Sequence, residues 1–479
     1  MSEIAAPHPS PIDYIERHSP QFTSLADKIW NLAELRYEEF ASSDLHIEVL
    51  EAAGFRVTRG VAGIPTAFVA EAGQGGPIIG ILGEYDALSG LSQEADALTC
   101  QPSTEIGNGN GHGCGHHLLG TAAHLAAAAV KSHLEATGQP GTVRFYGCPA
   151  EEGGSGKTFM ARAGLFDDLD AALSWHPAVH NGVFSGQSLA NVQAYFRFHG
   201  KASHAASSPH LGRSALDAVE LMNVGVNYMR EHMLPDARVH YAITQTGGTS
   251  PNVVQANAEV LYLVRAPRND QATDLYERVK NIARGAALMT ECKMEVVFDK
   301  ACSNLVQNTV LNEVMYRNLE AFGAPQYDAT EIAYARRVQD SSLTREDIEG
   351  ATRTLGQAWR DPKPLFDHVA LFQAGHEPTL YGSTDVGDVS WITPTAQCFT
   401  ACYAFGTPFH SWQLVAQGKS SLAHKGMLLA AKTMAASAID LFRSPDTLAK
   451  AKAELHARRQ GKPYVCPIPP EVELPFKRA

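Results

Sequence analysis

Apolar positions recur at helical spacing through residues 14–53. Ile29, Leu32, Ala33 and Leu35 mark one face, and Leu45, Val49 and Ala52 continue it. The stretch is predicted mostly helical, with Gly54 as its stop. Two short β-like runs follow, 66–70 and 78–82, divided by the turn-rich Ala72-Gly73-Gln74-Gly75-Gly76-Pro77. Residues 117–134 read as a helix, 142–148 as a strand, 163–169 as a short helix and 171–175 as a strand. Strand, helix, strand, helix, strand implies an α/β fold whose largely parallel central sheet is covered on both faces.

From about residue 189 the pattern changes. Residues 193–199, 239–244, 259–265 and 294–298 read as strands around helices 214–233 and 270–289, which predicts a small α+β sandwich inserted into the larger domain. The chain is thus divided into 1–188 and 303–479 for the larger domain and 189–302 for the insert. Helices resume after Asn308, and 324–378 is polar and reads as an insertion rather than core. Residues 422–442 form an amphipathic helix, the tail after Gly461 is proline-rich and expected on the surface, and no internal repeat is present.

A length of 479 residues agrees with two domains. A net charge of −12 and a pI near 5.9 argue against nucleic acid or an anionic membrane surface as partner. The first twenty residues hold no apolar signal core, and no apolar run is long enough to span a bilayer. Eight scattered cysteines then point to reduced thiols and a cytoplasmic location. Cys398 and Cys402 are expected to be packed rather than metal-bound.

The chemistry concentrates in Gly107-Asn108-Gly109-Asn110-Gly111-His112-Gly113-Cys114-Gly115-His116-His117, which offers a pliable backbone and no aliphatic side chain. Cys114 and His116, two apart on an extended loop, point to one side and are good ligands for a divalent metal. The other readings of the loop are a glycine-rich helix entry with incidental histidines, or an anion site at a helix N-terminus. Asp86, Glu151, Glu152 and His176 each stand just past a strand end, the edge at which open α/β sheets bind ligands. Alone, Glu151-Glu152 would be a solvated strand end. For both carboxylates to face one site the chain must bend, which Gly153-Gly154 would allow.

These landmarks resemble the M20 family of metallopeptidases and amidohydrolases. They are Glu84-Tyr85-Asp86-Ala87-Leu88, His112-Gly113-Cys114-Gly115-His116, Glu151-Glu152-Gly153, Trp175-His176-Pro177, Gly200-Lys201-Ala202-Ser203-His204, Gly247-Gly248-Thr249-Ser250-Pro251-Asn252, Gly382-Ser383-Thr384-Asp385 and Phe409-His410-Ser411-Trp412. The branch with a Cys-Gly-His ligand pair, which includes plant auxin-conjugate hydrolases and bacterial aminobenzoyl-glutamate hydrolases, is the most similar, and the last landmark resembles the B subunits of the latter. The resemblance implies a zinc-peptidase-like catalytic domain with an inserted lid and dimerisation domain. It implies two divalent metal ions, Mn²⁺ or Zn²⁺, held by Cys114, His116, Glu152, His176 and His410, with Glu151 as general base. It gives His204 an oxyanion-stabilising role in the other protomer's site and makes Asn252 and Arg265 contacts of the substrate carboxylate, with hinges near Leu189 and Cys302.

Two positions depart from the family pattern. Glu84 stands where sister branches have a histidine ligand, so Cys114 would supply the missing donor and Asp86 would orient an imidazole. His117 stands where Asp is common. His112 is read as a loop-stabilising donor, His124 as a helix-face residue, and His424 as a rival to His410 on a helix packed against the sheet. The expected activity is hydrolysis of an N-acyl, in particular N-aroyl, amino acid such as aminobenzoyl-glutamate by a homodimer, and pairing with a homologous partner chain is a further possibility. The alternatives are an aminoacylase, a dipeptidase and a catalytically silent assembly or binding component.

Overall fold

The computed structural model describes residues 10–104, 106–355 and 363–475. Parts of the polar segment 324–378 and of the proline-rich tail therefore lie outside the described residues. The chain forms two compact units, one from 10–186, 306–377 and 389–463, the other from 187–305, 378–388 and 464–475.

The first unit opens with α1 (Pro11–Leu32), α2 (Phe40–Ala52), β1 (Arg56–Arg59), β2 (Phe68–Gln74), β3 (Ile78–Glu84), α3 (His116–Thr137), β4 (Gly141–Cys148), α4 (Gly156–Arg162), β5 (Ala171–Ala178) and β6 (Gly182–Val183). The second holds β7 (Ala190–His199), α5 (Ala215–Met229), β8 (Arg238–Gln245), β9 (Asn257–Ala266), α6 (Asn269–Thr290) and β10 (Lys293–Cys302). The chain continues with α7 (Thr309–Phe322), α8 (Ala329–Ser342), α9 (Arg345–Thr354), α10 (Val386–Ile392), β11 (Thr395–Ala401), α11 (Trp412–Gln417), α12 (Ser421–Arg443) and α13 (Pro445–Arg458).

The larger sheet has the order β1-β2-β4-β3-β5-β11-β6. Its centre, β4-β3-β5-β11, is parallel, and the β1, β2 and β6 pairings at its margins are antiparallel. The α/β fold with a mostly parallel central sheet is therefore as the alternation of strands and helices predicts. α3 is apolar on nearly every side because it is buried on nearly every side, its alanines packed among α1, α12 and the sheet. A Cβ on Gly120 would stand 2.5 Å from the Glu84 carbonyl oxygen, so glycine is what lets α3 lie directly on the end of β3.

Several local expectations change. The helix predicted over 14–53 is interrupted between Leu32 and Phe40, where Ala33 and Tyr37 adopt left-handed φ of 42° and 63°. The apolar periodicity runs through this break because Leu35 lies in phase with α1. The short helix is 156–162, not 163–169, and β5 continues through His176 and Pro177 because β11, an unpredicted strand, pairs with it to Ala178. Segment 324–378 is not wholly outside the core: Ala335, Val338 and Leu365 pack with Ala404 and Leu422, and α8 and α9 each open with a capping box.

The second unit is an antiparallel sheet, β10-β7-β9-β8, with α5 and α6 packed on it. Two segments that the sequence pattern left in the larger domain fold with it, through Leu189 N–H donating to the Gly382 carbonyl (2.9 Å) and the Tyr464 hydroxyl donating to Asp388 (2.9 Å).

His46 on α2 and His124 on α3 are fully buried, their Nδ1 atoms 3.1 Å apart, beside Phe22 and Phe145. Burial lowers His46 to about 3 and holds His124 well below the usual imidazole value. As pH falls through about 6.5 the unfolded chain takes up protons that the folded chain refuses, so stability is lost on acidification. From pH 6.5 to 5 His46 alone accounts for roughly 2 kcal/mol. Denaturant midpoints measured from pH 7.5 to 5 should fall steeply for the native chain and less steeply for His46→Gln. Parallel curves would remove His46 from this dependence.

Candidate metal centre

The carboxyl edge of the parallel strands carries the candidate residues, all within the first unit. Glu84 ends β3, Asp86 lies two residues beyond, Glu151 and Glu152 follow β4, His176 lies in β5, Cys114 and His116 sit at the start of α3, and His410 precedes α11. His410 is held by its own N–H donating to the Gly113 carbonyl (2.8 Å) and has a left-handed φ of 55°. The bend that turns both glutamates inward is not made by Gly153 and Gly154. Ala150 makes it with φ of 61°, closed by Gly154 N–H donating to the Ala150 carbonyl (2.9 Å). The glycines serve close packing: a Cβ at Gly153 would meet Arg36 at 2.8 Å, and one at Gly154 would meet Tyr37 at 2.4 Å.

Donor atoms of Cys114, His116 and His176 lie within 4.8 Å of one another, as do those of Cys114, Glu152 and His410. The two groups share the Cys114 sulfur and together use all five of the expected ligands. His116 Nδ1 is 2.8 Å from Asp86 Oδ1, and His176 Nδ1 is 2.8 Å from the Pro177 carbonyl oxygen. Both oxygens only accept, so each Nδ1 carries the proton and each Nε2 is left as the donor atom facing inward. His176 Nε2 lies 3.5 Å from Cys114 Sγ, and the buried His116 Nε2 has no hydrogen-bond partner among the described residues. A thiol, three imidazoles and a carboxylate converging with their lone pairs inward fit divalent metal ions.

Burial and mutual charge perturb the titration of these groups strongly. Burial pushes the Cys114 thiol well up, and the Glu152 charge adds to it. Burial alone would lower His116, but the Asp86 carboxylate outweighs it and raises it well above the usual value. Burial would raise Glu152, yet His410, 3.3 Å away, and His116 hold it below the ordinary carboxylate range. Burial, with the His116 charge, brings His176 down to about 4.

A third group, Glu84, His116 and Glu151, has donor atoms equally close. Glu84 Oε2 is 3.3 Å from His116 Nε2, and its Oε1 is 2.5 Å from the ammonium of Lys157, which is fully buried on α4. Sequence reasoning missed Lys157: a lysine after Gly-Ser-Gly reads as loop surface, and only the shift of α4 to 156–162 turns it inward.

The remaining histidines have structural partners. His112 Nε2 donates to the Ile29 carbonyl (3.1 Å) and His117 Nε2 to the Gly418 carbonyl (2.9 Å), while His424 pairs with Asp27 at 2.9 Å. His124 is a core residue. His204, Asn252 and Arg265 belong to the second unit. His204 forms a β-bridge with Val253 and accepts the N–H groups of Ala206 and Ser207, next to Asn252, whose carbonyl accepts from Ala205. Arg265 donates to the Ser383 hydroxyl (2.8 Å).

A cluster of this composition at the carboxyl edge of such a sheet is a metallohydrolase type of site. Residues 80–474 match the description Peptidase family M20/M25/M40, and the chain belongs to that family. It is 53% identical over 470 residues to the B subunit of p-aminobenzoyl-glutamate hydrolase from Escherichia coli, covering 96% of this chain and 97% of the relative. It is 27% identical over 461 residues to the Xaa-Arg dipeptidase of Mus musculus, covering 93% and 91%. An aminobenzoyl-glutamate utilization protein from Klebsiella pneumoniae has the same fold, with a TM-score of 0.55 at 18% identity, covering 87% of this chain and 97% of that one. So does a dinuclear metal binding M20 peptidase of Bacillus subtilis, with a TM-score of 0.53 at 17% identity, covering 87% and 98%. The protein is a hydrolase acting on amide bonds.

Breaking the buried Lys157–Glu84 pair leaves a charge without its partner. Lys157→Met should lower the unfolding free energy by about 3 kcal/mol, and the Glu84→Gln/Lys157→Met double variant should regain much of the loss. Urea unfolding followed by circular dichroism measures both. Equal losses in the single and double variants would show that the pair is not the source.

Proposed function

We propose that the protein is a dimetal amidohydrolase that cleaves the amide bond of an N-aroyl amino acid of the p-aminobenzoyl-glutamate type, releasing p-aminobenzoate and glutamate. The convergence of Cys114, His116, Glu152, His176 and His410 in two groups joined at one sulfur carries this reading. The 53% identical relative supports its substrate class. These five residues would hold two ions, Zn²⁺ by their nitrogen and sulfur donors or Mn²⁺ by their carboxylate, which when bound acidify water and polarise a carbonyl. Glu151 takes the proton of the attacking water and delivers it to the leaving amide nitrogen as the C–N bond breaks. Asp86 keeps the proton on His116 Nδ1. Eight free cysteines support a cytoplasmic location.

The second unit would supply His204 for the oxyanion and Asn252 and Arg265 for the substrate carboxylate, Arg265 through paired guanidinium hydrogen bonds. Within one chain these residues cannot serve one small substrate. The β7–β9 pairing runs on from His199↔Asn257 to His204↔Val253, away from Arg265, which lies eight residues along β9 from Asn257, about 27 Å. Two copies of the chain would remove this obstacle. Edge strand β8, with Tyr241 and Ile243 exposed, and α5, with Leu221, Val224 and Tyr228 exposed, support a homodimer through this unit, which would act as a lid and dimerisation domain. The Escherichia coli hydrolase is named as having both an A and a B component, each a relative of this chain. That favours a second reading, in which a homologous chain takes the partner's place.

The test is a substrate screen with protein reconstituted with Mn²⁺ or Zn²⁺, comparing p-aminobenzoyl-glutamate, other N-acyl amino acids and Xaa-Arg dipeptides. Metal bound without hydrolysis of any of them would leave the catalytically silent reading. Glu151→Gln should lower kcat by at least ~10²-fold with metal content unchanged, whereas Cys114→Ser should lose metal and activity together. Mixing His204→Ala with Glu151→Gln protein should restore part of the activity. No recovery after confirmed exchange of protomers would confine His204 to its own chain or exclude it from catalysis.

A further inference from the structure

The break between α1 and α2 touches three of the loops that build the candidate centre: the glycine-rich loop, the loop after β3 and the turn after β4. The end of α1 receives the glycine-rich loop: His112 Nε2 donates to the Ile29 carbonyl (3.1 Å) and the Asn110 amide to the Ala33 carbonyl (3.2 Å). The next residues receive the loop after β3, where Ala87 N–H donates to the Glu34 carbonyl (2.8 Å) and Leu35 forms a parallel bridge with Ala87. Three side chains then reach the turn that carries the paired glutamates. The Arg36 guanidinium donates to the Gly153 carbonyl, the Tyr37 hydroxyl donates to the Gly154 carbonyl (2.6 Å), and Glu39 Oε1 accepts the Ala150 N–H (2.8 Å).

Ala150 is the residue with left-handed φ that aims Glu151 and Glu152, so Glu39 holds the strained peptide at its origin. The other oxygen of Glu39 accepts from the Thr66 hydroxyl (3.0 Å), and the Thr66 carbonyl accepts from Tyr85, the neighbour of Asp86 (2.5 Å). Glu39 and Tyr37 are almost fully buried, and neither lies within the ligand groups themselves.

We propose that Ala33–Glu39 is a positioning strap for the metal centre, in which Tyr37 and Glu39 hold the Glu151-Glu152 turn in register with Cys114, His116 and Asp86. The inference rests on the metal-hydrolase reading above. The strap fixes where the ligand groups stand and touches neither water nor substrate. Its removal therefore shows in the geometry and affinity of metal binding before it shows in folding.

Metal-free native protein and the Tyr37→Phe, Glu39→Ala and Glu39→Gln variants are titrated with Co²⁺, read by its visible bands and thiolate charge-transfer absorbance, alongside thermal melts and steady-state kinetics. Tyr37→Phe and Glu39→Ala should weaken Co²⁺ binding on the order of ten-fold and shift the visible bands. They should lower kcat by a similar factor with KM within about two-fold, because the substrate contacts are untouched. Glu39→Gln keeps an acceptor for the Ala150 N–H and should restore both affinity and spectrum. If Glu39→Ala does not fold, the isosteric Tyr37→Phe decides alone. Native affinity and an unchanged spectrum in Tyr37→Phe would overturn the strap. Failure of the native protein itself to bind Co²⁺ would overturn the metal reading on which it rests.

Discussion

One carboxylate holds the proposed centre together. Asp86 gives one oxygen to His116 Nδ1 (2.8 Å) and the other to the backbone N–H of Glu152 (2.8 Å). It thus ties the first turn of α3 to the turn after β4, two elements well separated in sequence. A carboxylate that is fully buried demands such partners, and here both are groups whose direction matters for chemistry. The close seating of α3 on β3 at Gly120 makes the first contact possible, and the left-handed turn at Ala150 makes the second.

Much of this could be read from the chain. Alternating strands and helices give the parallel sheet, and parallel strands force the chemistry to one edge, so Asp86, Glu151, Glu152 and His176 could be grouped before any geometry was known. What could not be read has definite physical causes. Leu35 keeps the apolar phase of α1, so the break at Ala33–Glu39 leaves no mark in the periodicity. β11 is buried on both faces and lacks the alternation of a half-exposed strand. Lys157 is a charged residue whose partner, Glu84, is remote in sequence, and no local pattern announces a buried ion pair.

The Glu84 departure acquires a meaning once Lys157 is placed. A histidine at this position would add a neutral donor, whereas a carboxylate adds charge that needs balancing. Lys157 takes one oxygen of Glu84 and leaves the other beside His116 Nε2. Glu84 is thereby fixed in orientation, with its second oxygen close to the donor atoms of His116 and Glu151.

The charge balance of the whole cluster follows. With Cys114 as thiolate, it and the carboxylates of Glu84, Asp86, Glu151 and Glu152 concentrate negative charge, which Lys157 on Glu84 and Arg36 at the turn of the paired glutamates offset in part. Divalent cations held there would offset it further. Among these groups Cys114 and His116 are both pushed upward, toward the thiol and toward the imidazolium. The protons on Cys Sγ and His Nε2 occupy the same lone pairs that a metal would use, so metal binding at this site would release them. Protonation of these two groups and binding of metal are thus alternative ways of lowering the same buried charge, and they compete for the same sulfur and nitrogen.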